Sequence, residues 1–399
     1  MQDTIRPPPE STELREEVYQ YFVKLFGATR TQALASALSQ PGNFFFLRTN
    51  SLRTHDQQLI QQLQDENIAA TILYPKLGTV AIPIRKTGPV PLHDKLVVAD
   101  KASSENVLLG SHLYRPGVKR LDRFSKGDLI TVISPKGHIV GSGIACDDSS
   151  RIAHRKHGQV VKILDSYYNV PSISDLAAYK DGFFYSQSLP AMLVAPILDP
   201  QQGETIIDFC AAPGGKSTHV AQLVKNQCRL IAVDRSERRI NHLLSEANRL
   251  GISCLAPFVG RAKEFVAQNP TLKADRVLVD PPCTALGVRP QLYAETTLIQ
   301  IQSTASYQRM ILDSAVSALR PGGYLVYSTC TLTIEENEHN IQYLTDTYSL
   351  TLEPQTPFLG SKGLAGDSAV KNGVQRFYPD QHGFPGYFIA KLRKPETKV

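Results

Sequence analysis

Two cysteine-containing strings hold the residues best suited to covalent chemistry. Each follows a short apolar run, and they are Asp280-Pro281-Pro282-Cys283 and Tyr327-Ser328-Thr329-Cys330. A cysteine thiolate is a nucleophile that can form a covalent intermediate, and an aspartate beside it can hold or donate a proton. Free cysteines are also common as small buried apolar residues. Because both cysteines follow strand-like runs, we predict a catalytic pair of thiols with an acid nearby.

A third string has the properties of a ligand-binding loop, and it consists of Cys210, Ala211, Ala212, Pro213, Gly214, Gly215 and Lys216. A phosphate-binding P-loop would require a glycine at the position of Cys210, and Pro213 removes a backbone donor. The loop instead allows close approach of an uncharged or zwitterionic ligand. Asp234 follows at about the spacing where an acid binds ribose hydroxyls in dinucleotide folds. This combination suits S-adenosylmethionine, which has a ribose and no pyrophosphate.

These strings lie in a region where strands and helices alternate. The apolar pattern predicts strands at residues 205–207, 230–233, 277–279 and 324–326, and helices at residues 218–224, 237–250, 307–319 and from 335. Such alternation predicts an α/β fold with a doubly wound parallel sheet, Rossmann-like in class. The carboxyl ends of parallel strands meet at one edge, where ligands bind. The three strings are therefore expected to come together there.

Two further segments precede this region. The pattern of residues 1–90 predicts a small α/β, RRM-like domain that packs on the catalytic region, with a helix from Ser11 that ends at Gly27, strands at 44–48 and 71–74, and a helix at 57–67. Residues 91–164 alternate short β-like runs with glycine turns, which predicts a compact, mostly β insert. Residues 165–399 then form the third domain, beginning with a linker that contains a short helix.

The positive charge of the chain is concentrated in the insert. Between Gly110 and Leu164 there are ten basic residues and four acidic ones, an excess that equals the net charge of +6 of the whole chain. Such a local excess is typical of a nucleic-acid-binding module, although a solvated basic face without a partner is the alternative. The residues expected to contact RNA are Tyr114, Arg115, Lys119, Arg120, Arg123, Lys126, Arg155 and Lys156.

Composition narrows the class of protein. The six cysteines form no C-x-x-C pair, so neither a zinc site nor a disulfide framework is expected, and we predict no metal. The first ten residues contain three consecutive prolines and no apolar core, unlike a signal peptide. The apolar stretch at residues 192–198 is too short to span a bilayer. We expect a soluble cytoplasmic monomer, with no membrane association and no protein partner inferred.

Taken together, the strings resemble the Nop/Sun RNA cytosine-5 methyltransferases. Residues 210–218, 280–283 and 328–331 match the cofactor loop, the proline–cysteine motif and the threonine–cysteine motif of that family. Residues 335–338 and 376–388 are similar to its later motifs. Residues 110–118 resemble the signature turn of a PUA domain, an RNA-binding β-barrel. A PUA domain inserted ahead of the catalytic core is typical of the sixth NSUN-type branch.

The resemblance implies a reaction and roles for individual residues. Cys330 would attack C6 of a cytosine, Asp280 would act as the acid at N3, and Cys283 would aid product release. Lys216 would contact the target base and Asp234 the cofactor ribose, while Asp280 and the loop at 210–216 would also contact S-adenosylmethionine. Members of that branch methylate a cytosine in the transfer RNA acceptor stem, beside the CCA end. Ribosomal or messenger RNA as substrate, or an RNA-binding protein that has lost catalysis, remain alternatives.

One position departs from the family pattern. After the third predicted strand the family usually has an acid that contacts the adenine amine, whereas this chain has Val259. A valine side chain cannot accept a hydrogen bond. We therefore expect either a backbone carbonyl in its place or a reduced affinity for the cofactor.

Overall fold

The structure is a computed structural model that describes residues 5–396. Residues 1–4 and 397–399, at the outer ends of the predicted first and third domains, lie outside the described residues. The N-terminal region contains helices α1 (Glu16–Phe26), α2 (Ala28–Ser39) and α3 (Asp56–Asp65), and strands β1 (Glu13–Leu14), β2 (Phe44–Thr49), β3 (Thr71–Ile72), β4 (Thr79–Pro83) and β5 (Arg85–Lys86).

The first helix starts later than predicted because residues 13–14 pair with strand β18 (Tyr293–Ala294) instead. It ends at Gly27 as expected, with a positive φ of 83°. Helix α2 follows at once and was not predicted. Leu34 and Leu38 of this helix are fully buried, and they pack with residues of the catalytic region such as Leu286 and Leu332. The N-terminal helices are therefore anchored on that region.

The insert is mostly β, as predicted. Its strands are β6 (Lys95–Ala99), β7 (Leu113–Tyr114), β8 (Val118–Leu121), β9 (Leu129–Ile133), β10 (Ile139–Ala145) and β11 (Gln159–Ser166), and its helices are α4 (Lys101–Leu108) and α5 (Ser149–Ala153). Strand β12 (Tyr168–Asn169) follows the insert and pairs with β5. Six strands form one sheet in the order β7-β11-β10-β9-β6-β8. Helix α4 was not predicted, and Asp100 caps it by accepting from the Ser103 amide at 2.7 Å.

The third region contains α6 (Ala177–Lys180), β13 (Phe184–Ser186), α7 (Leu189–Leu198), β14 (Thr205–Phe209), α8 (Gly215–Leu223), β15 (Arg229–Asp234), α9 (Glu237–Leu250), β16 (Leu255–Val259), α10 (Ala262–Gln268), β17 (Ala274–Val279), β18, α11 (Leu298–Ala318), β19 (Leu319–Thr329), α12 (Glu338–Tyr348), β20 (Thr351–Leu352), α13 (Ser368–Gly373), β21 (Val374–Phe377), α14 (Pro379–His382) and β22 (Tyr387–Arg393). Strand β13 pairs with β2, so this region completes the N-terminal sheet.

The main sheet has the order β16-β15-β14-β17-β19-β22-β20, with β21 paired to β22. The first five strands are parallel, as predicted for a doubly wound α/β fold. Strand β22 runs antiparallel to β19, so the complete sheet is mixed rather than wholly parallel. The predicted α/β class is confirmed, and this antiparallel edge is the feature that the alternation pattern did not predict.

Within residues 5–396, no helix is both long and apolar enough to cross a membrane.

Candidate active site

The two motif cysteines meet at the carboxyl edge of the main sheet. Cys283 follows β17 and Cys330 follows β19, and their Sγ atoms are 3.3 Å apart. The next residue of each turn makes a second link, because the hydroxyls of Thr284 and Thr331 are 2.8 Å apart. The amide of Gly287 also donates to the Cys330 carbonyl at 3.0 Å. The two turns are therefore held together by further contacts next to the thiols.

A charged cluster lies beside the thiols. Lys216 Nζ donates to Asp280 Oδ2 at 2.6 Å, and Ser328 Oγ donates to Asp280 Oδ1 at 2.8 Å. The Tyr387 hydroxyl is 3.4 Å from both Asp280 Oδ1 and Ser328 Oγ. Lys216 and Asp280 were candidates from the sequence, whereas Ser328 and Tyr387 were quoted only as parts of motifs. Tyr387 reaches the site because β22 runs alongside β19.

Burial and hydrogen bonding set the protonation of these groups. Burial alone would lower the pKa of Lys216, but the charge of Asp280 outweighs it and raises this pKa above its ordinary value. The hydrogen bond with Cys330, together with burial, raises the pKa of the Cys283 thiol well above its usual value. At neutral pH the lysine is therefore an ammonium group and Cys283 carries its proton.

A buried carboxylate holds the two cysteine turns in register. Glu336 accepts from the Thr284 amide at 2.9 Å, from the Thr333 hydroxyl at 3.0 Å and from the Gln308 side chain at 3.0 Å. Gln308 also donates to the Pro282 carbonyl at 2.9 Å. Burial raises the pKa of Glu336, and the hydrogen bonds from Thr284 partly offset this effect. One side chain thus links the turn that carries Cys283 to the turn after Cys330.

A fully buried ion pair fixes the second turn further. Arg376 pairs with Glu338, and the two side chains are 1% and 0% exposed. The same guanidinium donates to the carbonyls of Leu332 at 2.9 Å and Thr333 at 3.1 Å. The sequence indicated these residues only as parts of the later motifs. Their pairing depends on the tertiary structure, in which β21 lies beside the segment that follows β19.

Two adjoining clefts follow the sheet edge and share Cys210. One, with a cavity volume of about 30 Å³, is lined by Asp234, Gly260 and Arg261, and the other, of about 210 Å³, by the residues of the loop, Lys216 and Asp280. Asp234 Oδ1 accepts from the Ser236 amide at 3.0 Å, whereas the buried Oδ2 has no hydrogen-bond partner, although the Arg239 guanidinium is 3.1 Å away. An oxygen at this point whose hydrogen-bonding capacity is unfilled fits a ribose hydroxyl.

The glycines of the loop are required by close packing. Gly214 has a φ of 109°, and a Cβ there would lie 3.0 Å from the Leu243 side chain. A Cβ on Gly215 would lie 2.9 Å from the Tyr185 ring. Cys210 also adopts a positive φ of 67°, and burial raises the pKa of its thiol to about 12. The loop therefore presents backbone and a neutral thiol, not a charged group, to the cleft.

An arginine from the N-terminal region supports this loop. Arg48, on β2, is 1% exposed, and burial lowers its pKa to about 9. Its guanidinium donates to the Gly215 carbonyl at 2.5 Å, to Thr218 Oγ1 at 2.9 Å and to Gln222 Oε1 at 3.0 Å. These acceptors are all neutral. The sequence alone did not point to Arg48 as part of the site.

The predicted RNA-binding residues lie on the insert and differ in their surroundings. Most of them are exposed, namely Tyr114, Lys119, Arg120, Arg123, Lys126, Arg155 and Lys156. Arg115 is half-buried, and its Nε donates to the Ile152 carbonyl at 2.9 Å, which ties it to helix α5. The guanidinium of Arg155 pairs with Asp147.

Val259 is the last residue of β16 and lies opposite Asp234 in the sheet. Its side chain is 50% exposed. The following amide, from Gly260, donates to the Asp234 carbonyl at 3.0 Å. Residue 259 therefore borders the cleft that Asp234 and Gly260 line.

Comparison with known proteins gives the family. A model of the 16S rRNA methyltransferases RsmB/F matches residues 195–393, and a PUA-domain model matches residues 95–167. The chain is 39% identical to a tRNA (cytosine(72)-C(5))-methyltransferase of Pyrococcus horikoshii, over 95% of this chain and 96% of that protein. The chain belongs to the RsmB/F, or Nop/Sun, family of S-adenosylmethionine-dependent RNA cytosine-C5 methyltransferases.

Further relatives of this methyltransferase agree in architecture. The human tRNA (cytosine(72)-C(5))-methyltransferase NSUN6 is 30% identical over 96% of this chain and 90% of its own length. The crystal structure of NSun6 from Pyrococcus horikoshii with SFG has a TM-score of 0.86 and 37% identity, covering 96% of this chain and 99% of that one. The resemblance predicted from the sequence, the S-adenosylmethionine cofactor and an RNA substrate are confirmed.

Proposed function

We propose that this enzyme methylates C5 of a cytosine in the acceptor stem of transfer RNA, near the CCA end, through a covalent bond between Cys330 and C6. The proposal depends chiefly on the 3.3 Å approach of Cys283 and Cys330 beside the Lys216–Asp280 pair. This geometry supplies a nucleophile, a second thiol and a proton source at one sheet edge. The relatives named tRNA (cytosine(72)-C(5))-methyltransferases, which match nearly the whole chain, support the choice of RNA.

Each step of the reaction uses a group that lies at this edge. The Cys330 thiolate bonds to C6, and the Lys216–Asp280 pair supplies a proton to N3 as electron density moves from the C5=C6 bond into the ring. C5 thereby becomes nucleophilic. When bound, S-adenosylmethionine supplies a methyl group on a positively charged sulfur. Loss of the C5 proton to a water molecule then expels the Cys330 thiolate, and N3 returns its proton to the Lys216–Asp280 pair. Cys283, which carries its proton, stands 3.3 Å away and donates a hydrogen bond to the departing thiolate.

The cofactor would lie along the two clefts that share Cys210. Asp234 would accept from the ribose hydroxyls, and the backbone from Cys210 to Gly215 would pass close to the amino-acid part. Arg48 would hold the start of α8, and with it Lys216, in place. Asp280 would serve both the cofactor pocket and the base.

We also propose a division of labour among three domains. Residues 1–90 would support the catalytic core, residues 91–164 would bind RNA, and residues 165–399 would carry the reaction. The exposed basic residues of the insert would contact phosphates, in agreement with the concentration of charge there. We further propose that the enzyme acts in the cytoplasm as a monomer, without an obligatory protein partner.

A direct assay tests the proposed function. The protein is incubated with S-adenosylmethionine carrying a labelled methyl group and, in separate reactions, with transfer RNA transcripts, ribosomal RNA and messenger RNA, and the product is sequenced after bisulfite treatment. We expect 5-methylcytosine at one acceptor-stem position, and no product with Cys330→Ala. Label only in ribosomal or messenger RNA, or no label in any RNA, would contradict the proposal.

A further inference from the structure

A second cleft with aromatic walls opens beside the active site, and nothing in the proposed reaction uses it. It has a cavity volume of about 240 Å³ and lies where three parts of the chain meet. Phe44 and Phe46 come from strand β2, Leu109 comes from the insert, and Arg289 and Phe384 come from loops of the catalytic region.

The cleft is continuous with the catalytic edge. Ser186 and Gln187 line both this cleft and the one that contains Lys216 and Asp280. The loops that carry Arg289 and Phe384 are also joined to the turn that contains Cys330. The Gly287 amide donates to the Cys330 carbonyl at 3.0 Å, and the Gly386 amide donates to the Gly287 carbonyl at 2.7 Å. A strand of RNA whose cytosine lies at Cys330 would therefore have its neighbouring nucleotide within reach of the cleft.

The lining has the chemistry that binds an unpaired base. The Phe46 and Phe384 rings have centroids 5.8 Å apart, and Phe44 lies 6.2 Å from Phe46. Phe44 and Phe384 are only half-buried. Among the lining residues, all of which the structure describes, Arg289 is the one cation and none is acidic. Unpaired bases in RNA stack on aromatic rings and on arginine, and the absence of carboxylates favours a polyanion.

Arg289 is held in position for such a contact. Its Nε and Nη2 donate to the carbonyls of Gln40 and Pro41, each at 2.8 Å. Nη1 has no hydrogen-bond partner in the part of the chain that the structure describes. The anchored guanidinium thus keeps one donor edge for a ligand.

We propose that this cleft, which we name the flanking-base cleft, binds an unpaired nucleobase next to the target cytosine on the same RNA strand. The assignment depends on the proposed function, since it requires RNA at Cys330. A base stacked on Phe384 would fix the position of the RNA strand and thereby present the correct cytosine to the thiol.

A double-mutant cycle between protein and RNA tests the flanking-base cleft. Wild-type protein and Phe384→Leu are assayed with an acceptor-stem RNA and with versions that have an abasic nucleotide on the 3′ or 5′ side of the cytosine. We expect Phe384→Leu and one of the abasic changes each to lower kcat/KM by about tenfold, and the two together to lower it no further. If the loss from Phe384→Leu and the loss from the abasic nucleotide multiply, both for the 3′ and for the 5′ position, the assignment is overturned.

A binding measurement separates the cleft from the reaction. The nucleotide that shows coupling, or each flanking nucleotide in turn, is replaced by 2-aminopurine, whose fluorescence falls on stacking. Quenching by wild type that is lost in Phe384→Leu and Phe44→Leu supports the cleft, even if no methyl group is transferred, which would contradict only the proposed function. Equal quenching by all three proteins overturns the cleft, even if methylation occurs.

Two controls complete the design. Phe358→Leu removes a ring that is 43% exposed and lies outside the cleft, so it should behave as wild type. Thermal unfolding and cofactor binding of each variant show whether it is folded. Phe384→Leu could instead abolish a concentration-dependent dimer, while its effect on kcat/KM multiplies with that of each abasic nucleotide. In that case the cleft binds a second copy of the chain and the assignment is wrong.

Discussion

The Sγ atoms of Cys283 and Cys330 lie 3.3 Å apart, although the two residues come from different turns of the sheet edge. This distance places both thiols at one point of the sheet edge, where the target base would lie under the proposed function. The two groups are not equivalent, because the hydrogen bond with Cys330 and burial raise the pKa of Cys283. A thiol that holds its proton is poorly suited to start the reaction and well placed to take part later.

Replacing each of the two cysteines should therefore block a different step of the reaction. Cys330→Ala should abolish methyl transfer and form no covalent adduct, because the bond to C6 cannot form. Cys283→Ala should transfer one methyl group and then remain attached to RNA, because elimination is slowed. A denaturing gel with labelled RNA distinguishes the two. An adduct that accumulates with Cys330→Ala and not with Cys283→Ala would reverse the assignment.

The insert should supply salt-dependent affinity for RNA. Lys119, Arg123 and Lys126 are exposed, and their side chains make no ion pair within residues 5–396. Their triple replacement by alanine should weaken RNA binding and flatten its dependence on salt, because each lysine or arginine on a phosphate releases counterions. Cofactor affinity should be unchanged. Fluorescence anisotropy of labelled RNA at several salt concentrations measures the RNA affinity and its dependence on salt.

A matched triple variant tests whether position or only net charge matters. Lys24, Lys225 and Lys371 are also exposed but lie outside the insert. Their replacement by alanine removes the same charge and should have a much smaller effect on the salt slope. Equal effects of the two triple variants would show that the basic face of the insert has no special role.

Asp208 should make stability depend on pH. Burial raises its pKa to about 7, and its buried Oδ1 has no hydrogen-bond partner. Because the folded-state pKa is above the unfolded value of about 4, the stability associated with this proton is present below pH 4 and is lost as the pH rises through 7. Asp208→Asn should thus unfold at a higher temperature than wild type at pH 8, with the difference shrinking toward pH 4.

Asp275 provides a control of opposite sign for that measurement. Burial would raise its pKa, but hydrogen bonds from the Thr205 amide and Arg320 outweigh it and lower the pKa. Its stabilising effect is therefore present above the unfolded pKa and is lost as the pH falls. Asp275→Asn should lower the unfolding temperature at pH 8. If Asp208→Asn lowers the unfolding temperature at pH 8, as Asp275→Asn should, the burial argument for Asp208 is wrong.

Arg48 should matter for both stability and cofactor binding. Arg48→Gln leaves the Gly215 carbonyl and the Thr218 hydroxyl without their charged donor, which should lower the free energy of unfolding by about 3 kcal/mol. Cofactor affinity should fall as well, because both acceptors belong to the start of α8. Chemical denaturation and calorimetry measure the two effects. Arg53→Gln, at an exposed arginine of the same region, should change neither by much.

The sequence predicted the parts of the site whose determinants are local. Helix α9 was predicted with its observed bounds, because Ser236 caps its start and Gly251 ends it with a φ of 74°. The strand before Cys283 was predicted with its observed end at Val279, because an apolar run stops there. The strand before Cys330 was predicted over residues 324–326 but continues to Thr329, because Ser328 and Thr329 keep the strand pairing despite their polar side chains. Arg48 was not predicted to belong to the site, because its partners lie 139 to 174 residues away in the chain. Only tertiary structure brings such groups together.

The antiparallel edge of the sheet shows the same limit. An apolar run such as residues 387–393 indicates a strand but not its direction or its neighbour. In the structure this strand pairs with β19 and places Tyr387 beside Asp280. The late motifs of the chain thus contribute to the site through a pairing that periodicity cannot reveal.

Val259 offers a test of how the cofactor's adenine is bound. The residue borders the cleft beside Asp234, and its valine side chain offers no acceptor to the adenine amine. Val259→Asp should tighten S-adenosylmethionine binding by about tenfold, or about 1.4 kcal/mol, because a carboxylate there could accept from that amine. Val259→Thr, which is close in volume and uncharged, should gain much less. Calorimetry with S-adenosylhomocysteine and with its inosine analogue, which lacks the amine, identifies the atom involved, since the gain should vanish with the analogue. Equal or weaker binding by Val259→Asp would show that this enzyme holds the adenine through backbone groups or apolar contacts.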